Sequence, residues 1–105
     1  RKLFDMLRKT KDEKIFVFHY PPKGVFDIVN DKGNPLNGRN IGIGCFSDAI
    51  KKYKPLFVVC GHMHEYQGAR RFHGNWVINP GDAEKGKFAV LDIPDKGQIK
   101  VKFIK

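Results

Sequence analysis

Cysteine is scarce in this sequence. Two thiols, Cys45 and Cys60, among 105 residues make no disulfide framework, which excludes a small secreted scaffold held by bridges and fits a reducing, cytoplasmic setting. Long apolar runs are missing too: the longest are a handful of residues, far below the ~20 that a membrane-spanning helix needs. No charged-then-apolar signal segment opens the chain, and there is no internal repeat or low-complexity tract. Acidic residues are outnumbered, 11 against 20 Lys and Arg, for a net charge of +9. Aromatic residues, by contrast, are plentiful. Nine Phe, three Tyr and one Trp supply enough apolar volume for a core, so intrinsic disorder is not expected. The length suits one domain.

The basic surplus raises nucleic acid or another polyanion as a partner. Its distribution points the other way: Lys9, Lys32, Lys54, Lys87 and Lys102 are scattered along the chain, as on a solvated surface. The basic doublets with aromatic neighbours are Arg70-Arg71 beside Phe72 and Lys51-Lys52 beside Tyr53. The first residue, Arg1, is not one before which an initiator Met is normally removed, so residues 1–105 are expected to be a piece of something longer or to have a start upstream.

Leu3, Phe4, Met6 and Leu7 fall on one side of a helix over Lys2–Lys9, without an N-cap. Lys14–His19 is a short apolar and β-branched run, read as a buried strand ending in a His, and Pro21-Pro22 stops it because proline cannot donate to a sheet ladder. From Lys23 to Gly44, Gly, Asn, Asp and Pro dominate. A loop of roughly 20 residues is uncommon in a compact domain and is usually functional. Ser47 is placed as the cap of a second helix running to Tyr53, with Asp48 in its first turn, and Lys54-Pro55 ends it. Leu56–Cys60 reads as another buried strand. Four more strands, Ala69–Phe72, Trp76–Ile78, Lys87–Ile93 and Gln98–Ile104, are separated by turn signals at Gly74-Asn75, Asn79-Pro80-Gly81-Asp82 and Pro94–Gly97. The fold class is therefore mixed α/β, two helices and a mixed sheet followed by a β-meander.

Three histidines stand at the C-terminal tips of two apolar strands: His19, then His62 and His64. Ligands collect at those ends in open α/β sheets. A His-x-His pair can aim two imidazoles into one pocket, and Gly61 before it leaves the backbone room to turn sharply. The alternative is that these are polar strand ends hydrogen-bonded to backbone; a third His followed by Pro-Pro tilts the balance toward a metal site. His73, beside Gly74, is expected to be exposed and idle, Arg70 and Arg71 to lie on a solvated sheet edge, and Cys60 to be an ordinary buried thiol. Lys23 and Arg39, in the loop that leaves the first histidine strand, are candidate contacts for a bound ligand.

His19-Tyr20-Pro21-Pro22, then Gly61-His62-Met63-His64-Glu65, then Asn79-Pro80-Gly81-Asp82 resembles the C-terminal half of a calcineurin-like metallophosphoesterase, most similar to the small prokaryotic branch of that superfamily. The resemblance covers nearly the whole chain. It implies half of an αββα sandwich, and two divalent metal ions (Mn, Fe, Zn or Ni) with His19 and His62 as ligands of one and His64 of the other. It further implies hydrolysis of a phosphomonoester or phosphodiester by a hydroxide that the two metals activate. Glu65 is expected to brace the loop, and Asn79-Pro80-Gly81 to form a tight turn beside the site.

The family's other ligands lie in an Asp-x-His, a Gly-Asp and a Gly-Asn-His-Asp motif, none of which occurs here. The bridging Asp and the His that protonates the leaving group are therefore absent, and residues 1–105 hold no catalytic residue of their own: Asp5, Asp12 and Asp27 lack the needed context. Three His in two half-sites are short of anionic ligands, so the chain alone is expected to bind metal weakly and to catalyse little. Its expected partners are a phosphoester substrate and the missing N-terminal half, with no membrane and with nucleic acid only as substrate. Two other readings remain: a non-catalytic interaction module on the same fold, as in a vesicle-coat scaffold subunit resembling this family, and a basic nucleic-acid-binding domain.

Overall fold

The computed structural model describes residues 2–105; Arg1 lies outside them. Helix α1 covers Lys2–Lys9 and buries Leu7, at the i, i+3, i+4 spacing of its apolar side. Strand β1 is Ile15–Phe18, helix α2 Gly44–Tyr53, and strands β2 to β6 are Phe57–Cys60, Gly68–Phe72, Asn75–Asn79, Phe88–Asp92 and Lys100–Ile104. A 3-10 turn, Ala83–Lys85, precedes β5. Among these elements no helix is long and apolar enough to cross a membrane.

Strands β1, β2 and β4 run parallel in the order β1-β2-β4, and β3 closes the sheet antiparallel to β4. The four closing strands thus divide between two sheets, because β5 and β6 pair only with each other. The burial of β4 explains the division. Val77 and Ile78 point to opposite faces and are both fully buried, so β4 needs cover on both sides and takes a place inside the parallel sheet. On one face Phe16, Val58, Cys60 and Val77 pack with Leu7, Ala49, Ile50, Val25 and Phe26. On the other, Ile99, Val101 and Phe103 lie across a small apolar gap from Ala69, Trp76 and Ile78.

Helix α2 does not start where its side chains suggest. Its first residue is Gly44, the N-cap position falls on Ile43, and no side chain caps it. Ser47 sits inside the helix and donates from its hydroxyl to Lys23 O at 2.7 Å; Asp48 is beyond the first turn. Tertiary backbone bonds instead fix Ile43, the residue before the helix: Ile43 N donates to Pro21 O at 3.0 Å and Lys23 N to Ile43 O at 3.2 Å. At the other end Lys54 adopts the left-handed conformation and donates to Ile50 O, closing the helix before Pro55.

The segment between Lys23 and Gly44 is folded on itself. Val29 N donates to Arg39 O (2.9 Å), Gly38 N to Val29 O (2.7 Å) and Ile41 N to Asp27 O (2.9 Å). Asp27 is buried, and its carboxylate accepts from Gly24 N at 3.0 Å and Asn40 Nδ2 at 3.2 Å. That supplies the partners a buried carboxylate requires.

Cys60, the last residue of β2, is 1% exposed, and burial pushes its thiol from 9.0 up to about 12; Cys45 is half-buried. Iodoacetamide at about pH 8 is expected to label Cys45 in the native protein and Cys60 only on unfolding, since the thiolate is the nucleophile. Mass spectrometry of the labelled peptides reads this, and native labelling of Cys60 would contradict it. The raised native value also has a sign for stability. Below 9.0 both states hold the proton and the contribution is complete; from there to about 12 only the unfolded state releases it. Stability should fall by about 1.4 kcal/mol per pH unit across that window, a slope missing in Cys60→Ala.

Candidate metal centre

Parallel pairing in register assembles the site. Phe18 pairs with Cys60 at the ends of β1 and β2, so the next residues, His19 and Gly61, leave the sheet side by side, and Gly61 N donates to His19 O at 3.0 Å. Pro21 and Pro22 are fully buried beyond His19. The sharp turn falls on His62 rather than on Gly61: His62 has φ +65°, a conformation that costs a non-glycine residue of order 1 kcal/mol or more. Met63 N donates to Gly61 O at 2.7 Å and His64 N to His62 O at 3.0 Å, and these bonds hold the turn tight. Asn79, at the end of β4 and 1% exposed, donates from Nδ2 to Met63 O at 3.1 Å, while its Oδ1 accepts from Gly81 N at 3.0 Å. One side chain therefore ties the histidine turn to the Asn79–Gly81 turn. Gly81 has φ +97°, and a Cβ there would meet Lys87 Cβ at 3.0 Å and Gln67 Cγ at 3.1 Å, so only glycine fits.

The rings of His19 and His62 lie 5.2 Å apart, centroid to centroid. Tyr20 packs against both, at 5.1 Å from His19 and 4.2 Å from His62. Partial desolvation lowers the pKa of His62, helped by the nearby His19 and His64 and opposed by Glu65, which favours the neutral imidazole that metals bind. His64 is exposed, and its Nδ1 stands 3.7 Å from Asp82 Oδ2. Asp82 is buried, and its Oδ1 accepts from Glu84 N at 3.0 Å.

The donor chemistry suits a divalent transition metal, since imidazoles at a strand edge are common ligands for Zn, Fe and Ni. The donor count falls short. Among the described residues no group of three or more His, Cys, Asp or Glu converges to hold an ion. The three histidines form a pair, His19 with His62, and a separate His64 beside a carboxylate.

The remaining candidates are dispersed. Glu65 Oε2 accepts from Asn30 N at 3.0 Å, joining the histidine turn to the long loop. Lys23 lines a cleft of about 560 Å³ with Lys51, Asp48, Phe72 and His73 on the flank of α2. Arg39 is exposed, engaged through its backbone with Leu36 and Val29. His73, in the β3–β4 turn, is exposed. Arg70 stacks over Phe26 at 4.7 Å and Arg71 over Trp76 at 4.3 Å. Two residues beside the histidines were not singled out by the motif spacing. Tyr20 sits between His19 and Pro21, inside a motif that already marked the place. Asp82 had a signal only as the last residue of a turn; what puts it next to His64 is the pairing of β4 with β2.

No curated protein matches the chain. Two solved structures superpose on it. One crystal structure covers 96% of the chain with a TM-score of 0.69 at 24% identity, and the chain covers 37% of it. The crystal structure of TT1561 of Thermus thermophilus covers 97% with a TM-score of 0.56 at 23% identity, and the chain covers 38% of that protein. The chain thus spans less than two fifths of either, and the likeness is one of fold. A family profile described as metallophosphoesterase, calcineurin superfamily, matches residues 2–104. With a match over nearly all of its length, the chain belongs to the calcineurin superfamily of metallophosphoesterases.

Proposed function

We infer that the chain supplies the histidine half of a two-metal phosphoesterase that hydrolyses a phosphomonoester or phosphodiester. The observation that carries this reading is the juxtaposition of His19 and His62 just past the C-terminal ends of the in-register parallel strands β1 and β2, with His64 two residues further on, in a chain of this superfamily. His19 and His62 would hold one divalent ion (Mn, Fe, Zn or Ni) and His64 the other; when bound, the pair supplies Lewis acidity and an activated water for in-line displacement at phosphorus. The chain's own part is to bind and orient. The strained turn at His62 and the Asn79 bridge aim the imidazoles, Glu65 ties their turn to the loop, and Lys23 and Arg39 are the loop cations proposed to meet the substrate phosphate.

The carboxylate that would complete the metal sites and the acid that would protonate the leaving group are proposed to come from an N-terminal half outside residues 1–105. Two observations support such a partner. The solved relatives are more than twice as long, and β1 is an edge strand with Val17 74% and Ile15 44% exposed. The donor shortage has the same explanation. It also supports a second reading, a non-catalytic interaction module on this fold, for which calorimetry would show no metal uptake even with the N-terminal half present.

The test is Mn-dependent cleavage of bis(p-nitrophenyl) phosphate by the full-length protein. His62→Ala is expected to lower turnover by at least about a hundredfold while leaving the fold intact by circular dichroism. Undiminished turnover would sink the phosphoesterase reading.

A further inference from the structure

We infer that the gap between the two sheets is a binding site for a small uncharged apolar ligand, of the size of one aromatic ring or a short alkyl chain. The inference goes beyond the function proposed above and depends on no metal. Ala69 and Ile78 are paired across β3 and β4, and with Trp76 they form one wall of the gap. Ile99, Val101 and Phe103, alternate residues along β6 and its entry, form the other. The space between the walls is about 230 Å³. Protein interiors hold few voids larger than a water molecule, and an apolar cavity of roughly 150 Å³ already admits benzene.

Six apolar side chains face one another here, yet only Ile78 is buried. Ala69, Ile99, Val101 and Phe103 are half-buried, and Trp76 is 37% exposed. Apolar surface on two facing sheets thus stays accessible, and a ligand that covers it gains in proportion to the area removed from water. Water is a poor occupant by comparison. It needs two to four polar partners, and the indole N–H of Trp76 is the one polar group among these side chains. Ala69 makes the hollow, a small residue opposite larger ones. The Arg71 guanidinium covers the Trp76 ring at 4.3 Å and donates from Nη1 to Gly74 O at 3.0 Å, which fixes the rim. Toward the other end of β4, Gln67 Nε2 donates to Ile104 O at 2.8 Å and to Pro80 O at 3.1 Å, pinning the end of β6. Past Trp76 and Ile99 the gap meets a cleft that holds Arg71, Glu13 and Asp95. Charges of both signs stand in that cleft and none lines the gap, so the occupant is apolar and uncharged.

Trp76 is the only tryptophan in the sequence, so its fluorescence reports on this gap alone. Titration of the protein with benzene should shift the Trp76 emission saturably to shorter wavelength. At about tenfold excess over the dissociation constant the thermal midpoint should rise by roughly 5–10 °C. Ala69→Leu fills the hollow from one sheet and Val101→Phe from the other. In each variant that keeps the wild-type circular dichroism, benzene affinity should fall at least about tenfold. A wild-type emission and midpoint that benzene leaves unchanged would overturn the inference. So would an undiminished affinity in a folded filling variant, since benzene would then be binding elsewhere. None of these measurements involves the histidines, so they stand or fall apart from the phosphoesterase reading.

Discussion

Gly42→Ala is expected to destabilise the protein by about 3 kcal/mol or more. Gly42 has no unusual φ; its importance is one of distance. A Cβ there would lie 2.5 Å from Lys23 Cα, 2.5 Å from Pro22 O and 2.6 Å from Lys23 N. All three are backbone atoms, so no side chain can rotate away, and the two segments must separate. Those segments carry the Pro22–Ile43 bridge and the backbone bonds that hold Ile43 at the start of α2. Separating them uncovers Ser47, whose hydroxyl bonds Lys23 O, and loosens Pro21-Pro22 just after His19. Thermal unfolding should drop by roughly 12 °C or more, and the amides of Lys23 and Ile43 should lose hydrogen-exchange protection ahead of β2. A midpoint within a degree or two of the wild type would show that the close approach is not maintained in solution.

Asn79→Ala should cost about 2–4 kcal/mol. Asn79 is buried and bonds in two directions, to Met63 O and from Gly81 N. Truncation leaves both groups unpaired, and an unsatisfied buried group costs more than the net worth of the bond it loses. The effect should reach the site, because Met63 lies between His62 and His64 and its carbonyl is what Asn79 holds. Asn79→Asp keeps the acceptor for Gly81 N but places a charge against Met63 O, and should be nearly as damaging. Chemical denaturation of the two variants checks this. An Asn79→Ala loss below about 0.5 kcal/mol, the range of an ordinary surface change, would mean the two turns hold themselves.

Much of this was legible in one dimension. The i, i+3, i+4 spacing of Leu3, Phe4 and Leu7 and the uninterrupted apolar runs at Ile15–Phe18 and Phe57–Cys60 mark α1, β1 and β2 within a residue or so, since periodicity and burial are local properties of the chain. Pro21-Pro22 and Lys54-Pro55 end elements for equally local reasons. The start of α2 was not legible from Ser47, because the residue before the helix, Ile43, is held by Pro21 O and Lys23 N, about twenty residues away along the chain. Nor was the partition of the last four strands: β4 and β6 both look like strands, and only burial on both faces puts one of them inside the parallel sheet.

The same division runs through the site. His19, His62 and His64, with the glycines and prolines around them, were marked as candidates by residue type and spacing, because an imidazole's capacity to bind an ion resides in the side chain itself. Their grouping was a matter of register. Pairing Phe18 with Cys60 sets His19 next to His62, and placing β4 beside β2 brings Asn79 to Met63 and Asp82 to His64. Contacts between residues so far apart along the chain depend on which strands become neighbours. That choice is made by burial summed over the whole sheet, and no local stretch of sequence contains it.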